Sequence, residues 1–389
     1  AGGRLWSTTS TRTEFPTLAE SGEQDLHATF GAVDVDTVTV FLSRTAFVEV
    51  PVVNEAPDID IDLTAVVEDS APNTALAEPV VLERYTEAID GSSSSLTTEE
   101  STTVDVASDV TFDVDSAELN AGAETALTGI SQTISQYEGG SLSITGHTDD
   151  IADDAYNQDL SQRRAQAVAD RLGALADLSA WEVTVSGKGE SEPRVPNDSD
   201  EARQVNRRVE IALTPSKPTE ASAPSSTGAA PSSAAMPKAS GPVGKGPEGV
   251  DLKIDGKTVH VSMECAVRAG RFLMGTLMLD VDKEVSLPAA AFSVQDKYWP
   301  GFSLAVCSLT LLSQGRYYLE ASYSNSAGDA VPLSNNFVYP LQPGAPTRLP
   351  AVWPDPGGDS IVLDVPPGNN SVAPQRLSFR LTDIPVVDS

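Results

Sequence analysis

The chain has 389 residues, and its 25 Lys and Arg against 56 Asp and Glu give a formal net charge of −31 at pH 7. This acidity argues against nucleic acid as a partner, because binding to phosphates depends on basic surfaces that release counterions. The length predicts roughly two or three domains. No apolar run approaches the about 18 residues that a transmembrane helix needs.

The first hundred residues change from polar to strand-like and back. Residues 1–24 are polar and predict a flexible N-terminus. The chain starts at Ala1 with no basic and apolar leader, as expected if a signal peptide has been removed or the sequence trimmed. Residues 25–87 alternate acidic and apolar side chains, as in 33–40 (VDVDTVTV), which predicts a small β module. Residues 88–102 (AIDGSSSSLTTEEST) are polar and predict a linker.

Residues 103–213 mix the periods of helix and strand. Two helices are predicted at 120–137 and 157–175, where apolar residues recur at helical spacing. Strands are predicted at 111–114, 142–146, 181–185 and 209–213. This alternation of strands and helices predicts a βαβαβ domain with both helices on one mixed sheet.

The C-terminal part begins with a biased segment. Residues 214–249 are rich in Pro, Ala and Ser and predict a disordered linker. Residues 250–389 are strand-like with Gly, Pro and Asn turns and predict a β-sandwich of immunoglobulin-like type. Cys265 and Cys307 lie in this region and are compatible with one disulfide in an oxidising compartment or with two buried free thiols. The chain is therefore expected to be multidomain, with α+β and all-β parts.

Five short blocks in the central region form a specific pattern. In chain order they are 112–119 (FDVDSAEL), 144–149 (ITGHTD), 157–165 (NQDLSQRRA), 187–193 (GKGESEP) and 206–210 (NRRVE). Together and in this order they resemble the OmpA-like domain, which is also found in flagellar stators and peptidoglycan-associated lipoproteins. The resemblance covers residues 103–213 and does not extend to the flanking regions.

The resemblance implies a non-catalytic domain that binds peptidoglycan through the diaminopimelate residue of the stem peptide. Asp149 and Arg164 would bracket the zwitterionic end of diaminopimelate, because a guanidinium pairs with a carboxylate and a carboxylate accepts from an ammonium. The other predicted site residues are Thr148, Asn157, Leu160 and Arg208. Arg207 and Arg208 would point to opposite faces of the last strand, so only one of them is expected to take part.

Other chemistries compete with this interpretation. Asp149 and Arg164 could instead form an ordinary surface ion pair of little energetic value. The three His lie in separate regions, which argues against zinc, and His147 is predicted to be a structural hydrogen-bonding residue. The run 149–154 (DDIADD) lacks the Gly and terminal Glu of an EF-hand, so a solvated acidic loop is favoured over a calcium site. No nucleophile motif or P-loop is present, and no cofactor is predicted.

The sequence thus predicts an exported protein of the cell envelope, located in the periplasm, at the outer membrane or at the wall surface. Its central domain would tether it to peptidoglycan, and its β modules would contact other envelope proteins. One alternative is a surface adhesin or a subunit of an extracellular assembly, in which the OmpA-like domain only positions the β modules. Another is an envelope hydrolase, because carboxylates are numerous enough to supply a glycosidase pair.

Overall fold

The computed structural model describes several stretches of the chain. They are residues 4–5, 35–42, 46–53, 80–217, 236–287, 309–324, 330–333, 340–366 and 377–388. The predicted flexible N-terminus lies outside the described residues except for 4–5, and so does the 218–235 part of the predicted disordered linker.

Helices and strands alternate in the central part of the chain, and the described C-terminal elements are strands. The strands up to the end of the central domain are β1 (Arg4–Leu5), β2 (Thr37–Leu42), β3 (Ala46–Pro51), β4 (Val80–Val81), β5 (Arg84–Ala88), β6 (Ser93–Thr97), β7 (Thr102–Ala107), β8 (Gly140–Gly146), β9 (Trp181–Gly187) and β10 (Arg208–Pro215). The helices are α1 (Ser108–Thr111), α2 (Ala121–Ile134), α3 (Asp154–Leu175) and α4 (Asp200–Asn206). The C-terminal strands are β11 (Val243–Lys245), β12 (Val250–Ile254), β13 (Lys257–Ser262), β14 (Ala266–Ala269), β15 (Phe272–Val281), β16 (Thr310–Ser313), β17 (Arg316–Tyr318), β18 (Ser322–Ser324), β19 (Ala330–Pro332), β20 (Thr347–Pro354), β21 (Ser360–Val365) and β22 (Phe379–Asp388).

The central domain is a mixed sheet covered by helices. Its strands are ordered β7-β10-β8-β9, with β8 and β9 parallel and the other pairs antiparallel. Val106, Ile144 and Ile211 are fully buried in one core with Leu127 of α2 and Leu172 of α3. The prediction of helices packed on one mixed sheet is therefore confirmed.

Side-chain caps set the starts of the two long helices. Asn120 Oδ1 accepts hydrogen bonds from the backbone N–H groups of Gly122 at 2.8 Å and Ala123 at 3.3 Å. Asp153 Oδ1 accepts from the N–H of Tyr156 at 3.0 Å. Such caps satisfy amides that the helix itself leaves free. The second cap fixes the start of α3, which carries several of the predicted site residues.

The first strand of the domain is not where it was predicted. Residues 111–114 do not form a strand, and Phe112 makes only an isolated bridge with Leu119. Val114 is 92% exposed, and Asp115 has a left-handed backbone with φ of 54°. The strand that fills this place is β7, which ends before α1. Alternation over four residues was too short to separate a strand from a loop that buries one aromatic ring.

The predicted linker at 88–102 is also wrong. Strands β5 and β6 form an antiparallel hairpin, and β6 pairs with β7, so the hairpin extends the central sheet. The hydroxyls of Thr86 and Ser95 lie 2.9 Å apart across the two strands. Leu96 packs against the buried ring of Tyr85. Hydroxyl-rich strands look like linkers by composition, but their side chains pair across the hairpin.

The C-terminal strands share one apolar core. Strand β15 pairs with β13, β14 and β20. Trp353 of β20 is fully buried, and its Nε1–H donates to the carbonyl of Leu309 at 2.6 Å. The described part of this region is thus rich in β-structure, as expected, while the immunoglobulin-like arrangement stays a prediction.

Two expectations for the C-terminal part need correction. Cys265 is a free thiol whose pKa is raised by burial, and Cys307 lies outside the described residues, so the predicted disulfide is not supported. The predicted linker also extended too far, because β11 pairs in parallel with β22. The Gly residues at the end of this segment argued against a strand, because Gly is uncommon in strands.

The C-terminal strands are connected to the central sheet. Strand β17 pairs antiparallel with β5. Arg316 of β17 donates to Thr86 Oγ1 and Ser93 Oγ, both at 3.1 Å. The described residues of the predicted 25–87 module therefore divide: β2 and β3 form their own hairpin, whereas β5 belongs to the central sheet.

Candidate functional site

The candidate site lies where the chain leaves β8 and meets α3. Three close contacts hold α3 against β8, β9 and the loop that follows β9. A Cβ atom on Gly146 would lie 2.1 Å from the carbonyl oxygen of Ser161, and one on Gly187 would lie 2.4 Å from the amide nitrogen of Gln162. Ser161 Oγ accepts a hydrogen bond from the N–H of Gly189 at 2.9 Å. Only glycine at these positions lets α3 approach the sheet this closely.

Asn157 ties the loop after β8 to the start of α3. It is 2% exposed, and its Nδ2 donates to the carbonyls of Asp149 at 3.1 Å and Ala152 at 3.2 Å. The same group donates to Glu190 Oε2 at 2.6 Å. In this geometry Asn157 helps to hold the backbone of Asp149 in place, and its role in lining the site stays a prediction.

Asp149 is buried and accepts two hydrogen bonds. It is 8% exposed. Its Oδ1 accepts from the N–H of Ile151 at 3.3 Å, and its Oδ2 accepts from Arg207 Nη1 at 2.7 Å. Since a carboxylate has about four acceptor positions, Asp149 keeps capacity for a further donor.

Arg164 is buried without a carboxylate partner. It is 6% exposed, its Nε donates to the carbonyl of Ser116 at 2.9 Å, and its guanidinium carbon lies 5.2 Å from the ring centre of Phe112. Among the described residues, no carboxylate oxygen lies within 4.0 Å of it. Burial lowers its pKa, while the charges of Asp109 and Asp115 act in the opposite direction. Arg164 is therefore a buried cation that still lacks direct pairing.

Arg207 belongs to the site, although Arg208 was predicted in its place. Its guanidinium donates to Asp109 at 2.8 and 2.6 Å and to Asp149 at 2.7 Å. These bonds raise the pKa of Arg207, with the bond to Asp109 contributing most. The charges of Asp109 and Arg207 both act on the pKa of Arg164. Asp109, Asp149, Arg164 and Arg207 therefore form one charge cluster, which we call the four-charge cluster.

The placement of Arg208 differs from the prediction. Its Nε lies 3.6 Å from Asp105 Oδ1, and its Nη1 donates to the carbonyl of Asn206 at 3.3 Å. Val209 faces the helices, so its neighbour Arg208 points to the other face of the sheet. Only one of the two arginines contacts Asp149, as expected, but it is Arg207. Arg207 precedes the strand as the C-terminal cap of α4, where strand alternation does not apply.

Three further residues around the cluster are buried. Thr148 is 3% exposed, its N–H donates to Gly189 at 2.9 Å, and its hydroxyl has no partner among the described residues. Leu160 is 4% exposed and lies on α3. His147 is 3% exposed, and neither ring nitrogen has a hydrogen-bond partner within the described part of the chain. Burial lowers the pKa of His147 to about 4, so its ring is neutral at pH 7. The hydrogen bonds predicted for this residue are not seen among the described residues.

The acidic loop has structural contacts. Asp150 Oδ1 accepts from Arg203 Nε at 3.0 Å, and Asp153 caps α3. Within the described ranges, no group of three or more His, Cys, Asp or Glu side chains is arranged to hold a metal ion. Each of these acids therefore has a partner that does not require calcium.

Three exposed apolar side chains lie on segments that carry or contact the four-charge cluster. Ile151 is 74% exposed and follows Asp149 by two residues, and Val114 is 92% exposed in the loop whose Ser116 binds Arg164. Tyr156 is 37% exposed, and its hydroxyl acts on the pKa of Arg164. We call these three side chains the apolar rim.

The fold and the cluster define a small α+β domain with paired and unpaired charges at one end of a mixed sheet. Residues 111–207 match the family model described as the OmpA family, so this part of the chain is an OmpA-like domain. The OmpA-like domain that the five sequence blocks predicted is thus confirmed. Among the described residues, no helix is long and apolar enough to span a membrane.

Known proteins are similar over this domain. Outer membrane porin F of Pseudomonas aeruginosa is 39% identical over 102 residues, which are 26% of this chain and 29% of that protein. The probable lipoprotein YiaD of Escherichia coli (strain K12) is 35% identical over 106 residues, which are 27% of this chain and 48% of that protein. The solved cell wall anchor of the T6SS from Pseudomonas aeruginosa is 35% identical, with a TM-score of 0.27, and covers 30% of this chain and 82% of that chain. The chain spans only 29%, 12% and 32% of the first three curated relatives that it matches.

Proposed function

We propose that the OmpA-like domain anchors this chain non-covalently to peptidoglycan in the cell envelope. In this proposal Asp149 and Arg164 hold the zwitterionic end of diaminopimelate in the stem peptide. The observation that carries the proposal is the buried guanidinium of Arg164, which has no carboxylate within 4.0 Å among the described residues and lies beside an acidic cluster. The role is binding and requires no reaction.

The carboxylate of the ligand pairs with Arg164. Its Nε is used by Ser116, which fixes the orientation of the planar group and leaves the terminal nitrogens for the ligand. Burying a cation without a partner is costly, and an added carboxylate supplies a charge-assisted hydrogen bond in a partly dry site. Binding of the carboxylate therefore relieves a cost that the free domain carries.

The ammonium of the ligand pairs with the acidic side of the four-charge cluster. Asp109 and Asp149 together carry two negative charges and share the single positive charge of Arg207. One negative charge remains uncompensated there, and Arg164 provides one uncompensated positive charge. The cluster is therefore complementary to a zwitterion, whereas a simple anion or cation would satisfy only one side of it.

The apolar rim suits the remainder of the ligand. Diaminopimelate reaches its zwitterionic end through a short alkyl chain, and an alanine methyl neighbours it in the stem peptide. Val114, Ile151 and Tyr156 offer exposed apolar surface at the border of the charged site. Contact with the alkyl and methyl groups of the ligand would stabilise binding by about 25 cal/mol for each Å² of apolar surface removed from water.

The similar proteins support an envelope location. Two of them are described by name as an outer membrane porin and as a probable lipoprotein. We propose that this chain is likewise exported and tethered to the wall. A single small site binds weakly, and several copies on one polymer would gain affinity through multivalency.

The test is co-sedimentation of the full chain with purified sacculi that contain diaminopimelate. Asp149→Asn and Arg164→Gln each remove one charge, and we expect each to weaken binding by about tenfold or more, which is about 1.4 kcal/mol. Arg171→Gln is the matched control, because Arg171 is on the same helix and pairs with Glu124 away from the cluster. Retention of full binding by both Asp149→Asn and Arg164→Gln would contradict the proposal.

The ligand specificity provides a second prediction. A stem tripeptide that ends in lysine lacks the side-chain carboxylate, so Arg164 stays buried and unpaired when it binds. We expect the lysine tripeptide to bind at least about tenfold more weakly than the diaminopimelate tripeptide, because an unpaired buried group costs about 1–3 kcal/mol. Isothermal titration with both tripeptides measures this ratio. Equal affinities would show that Arg164 does not read the carboxylate.

A further inference from the structure

A second cleft lies on the face of the central sheet opposite α2 and α3. Its volume is about 840 Å³, and its walls are the β5–β6 hairpin on one side and β7, β10, α4 and the segment around Arg194 on the other. Asp105 and Arg208 line it, whereas their neighbours Val106 and Val209 face the helices. Alternation along the strands therefore separates this cleft from the helix-covered core.

The floor of the cleft contains buried polar atoms without hydrogen bonds. Arg208 is 6% exposed and Asp105 is 9% exposed. The Nε of Arg208 and the Oδ1 of Asp105 lie 3.6 Å apart, and neither has a hydrogen-bond partner among the described residues. Buried polar groups are normally paired, and leaving them unpaired costs about 1–3 kcal/mol each. A ligand with hydroxyl or amide groups in this cleft would give both atoms a hydrogen-bond partner.

The charges of the cleft balance. Three arginines line it, at positions 194, 207 and 208, and so do three acids, Glu87, Asp105 and Glu210. Arg194 Nη1 lies 2.5 Å from Asp105 Oδ2. Because neither sign is in excess, the cleft does not favour a polyanion or a polycation. Hydroxyl side chains of the hairpin and the apolar Leu96 complete a lining that suits a neutral, polar ligand.

The cleft is continuous with the four-charge cluster through Arg207. This residue lines the cleft and also donates to Asp149 at 2.7 Å. A polymer bound at the cluster would therefore pass close to the cleft. In peptidoglycan, diaminopimelate is separated from the sugar chain by two residues, a reach of about 7 Å when extended.

We propose that this cleft binds an N-acetylated hexosamine saccharide, the chemistry of the glycan strand of peptidoglycan. The inference rests on the proposed function, because it assigns the polysaccharide part of the same polymer to a second subsite. Hydroxyl and acetamido groups of the saccharide hydrogen-bond with Arg208 and Asp105, and its C–H faces contact Leu96. One wall of the cleft is the β5–β6 hairpin, which precedes the residues 111–207 that match the family model.

The test uses variants that alter the cleft and leave the four-charge cluster intact. Ser94→Trp fills the space without changing charge, and Arg194→Ala removes a polar group at the rim. Ser141→Trp is a matched control, since Ser141 is exposed on β8 and does not line the cleft. The probes are chitotetraose, a neutral N-acetylglucosamine tetramer, and glycan strands freed of stem peptides, both titrated by calorimetry into the full chain.

We expect wild type and Ser141→Trp to bind both probes, and Ser94→Trp to bind them at least about tenfold more weakly, which is about 1.4 kcal/mol. Arg194→Ala should weaken binding in the same direction and serves if Ser94→Trp does not fold by circular dichroism. Ser94→Trp should keep its affinity for the diaminopimelate tripeptide, and Asp149→Asn should keep its affinity for chitotetraose. The two proposals therefore fail separately.

Two results would overturn the inference. One is the absence of any heat of binding of chitotetraose and peptide-free strands to the wild type. The other is unchanged saccharide affinity in folded Ser94→Trp and in Arg194→Ala. Binding of peptide-free strands without binding of chitotetraose would likewise contradict it, because it would mean that the free muramyl carboxylate is recognised rather than a neutral saccharide.

Discussion

At the scale of single residues, Arg207 and Arg164 have different roles in one charged site. Arg207 has its charge satisfied by Asp109 and Asp149, whereas Arg164 has no carboxylate within 4.0 Å among the described residues. The first arginine holds the acids in position, and the second stays available. A zwitterionic ligand of the proposed kind would need both features, because Arg164 can pair with its carboxylate and the acids held by Arg207 can accept hydrogen bonds from its ammonium.

His147 predicts a pH dependence of stability. Burial lowers its pKa from 6.5 to about 4 in the folded chain, so the unfolded chain binds a proton that the folded chain does not. The free energy of unfolding is therefore not reduced by His147 above pH 6.5. It falls by up to about 3 kcal/mol as the pH is lowered towards 4, because protonation of His147 stabilises only the unfolded chain in this range. We expect urea unfolding of the central domain to show this loss between pH 6.5 and 5, where most carboxylates do not yet titrate.

The variant His147→Gln provides the control for that titration. It removes the ionisable ring, so the slope of stability against pH in this window should flatten. An NMR titration of the His147 ring protons gives the pKa directly. A value near 6.5 in the folded chain would contradict the burial argument.

At the scale of secondary-structure elements, the contact between β8 and α3 depends on Gly146. A Cβ there would lie 2.1 Å from the backbone carbonyl of Ser161, which a side-chain rotation cannot relieve. We expect Gly146→Ala to displace the helix, to reduce the free energy of unfolding by about 2 kcal/mol or more, and to weaken binding to sacculi. Denaturation in urea and co-sedimentation measure the two effects.

Gly129 offers a matched substitution in α2. A Cβ at this position meets no atom within 4 Å. Gly129→Ala should therefore stabilise the domain by about 0.5–1 kcal/mol, because alanine loses less backbone entropy in a helix than glycine does. Similar destabilisation by both substitutions would mean that the close approach at Gly146 is not the cause.

At the scale of the whole molecule, one run of paired strands connects the C-terminal strands to the OmpA-like domain. The connection passes through β17, β5 and β6 to β7. Arg316 stabilises the junction by donating to Thr86 and Ser93, and burial lowers its pKa. The C-terminal strands are therefore positioned relative to the OmpA-like domain by pairing as well as by the intervening chain.

Arg316→Ala tests this junction. Loss of its hydrogen bonds should remove a partner from the buried Ser93 hydroxyl and increase amide hydrogen exchange in the β5–β6 hairpin, while the strands β8 and β9 stay protected. Arg348→Ala is the control, because Arg348 is exposed on β20. Exchange in the hairpin that is the same in Arg316→Ala and wild type would show that the junction does not depend on Arg316.

Sequence composition and short-range patterns predicted the helices of the central domain correctly but not the β5–β6 hairpin. The long helical periods around Leu127 and Leu172 predicted both main helices, because burying a stripe of apolar residues is a local requirement of the sequence. The hydroxyl-rich hairpin at 84–97 was predicted as a linker, since its strands are stabilised by cross-strand partners that composition does not show. The predicted Cys265–Cys307 disulfide is not supported, and two cysteines in one region of a sequence do not specify how far apart they lie in space.

By itself, the sequence determined the OmpA-like domain and the pair Asp149 and Arg164 as candidates, because family blocks and helical periods are local properties of the chain. Only the tertiary structure decided that Arg207 rather than Arg208 contacts Asp149, and that Arg164 is buried with no carboxylate within 4.0 Å in the described part of the chain. It also decided that the β5–β6 hairpin extends the sheet and closes a second cleft. These features depend on pairing and desolvation between residues far apart in sequence, and those energies arise only when the chain has folded.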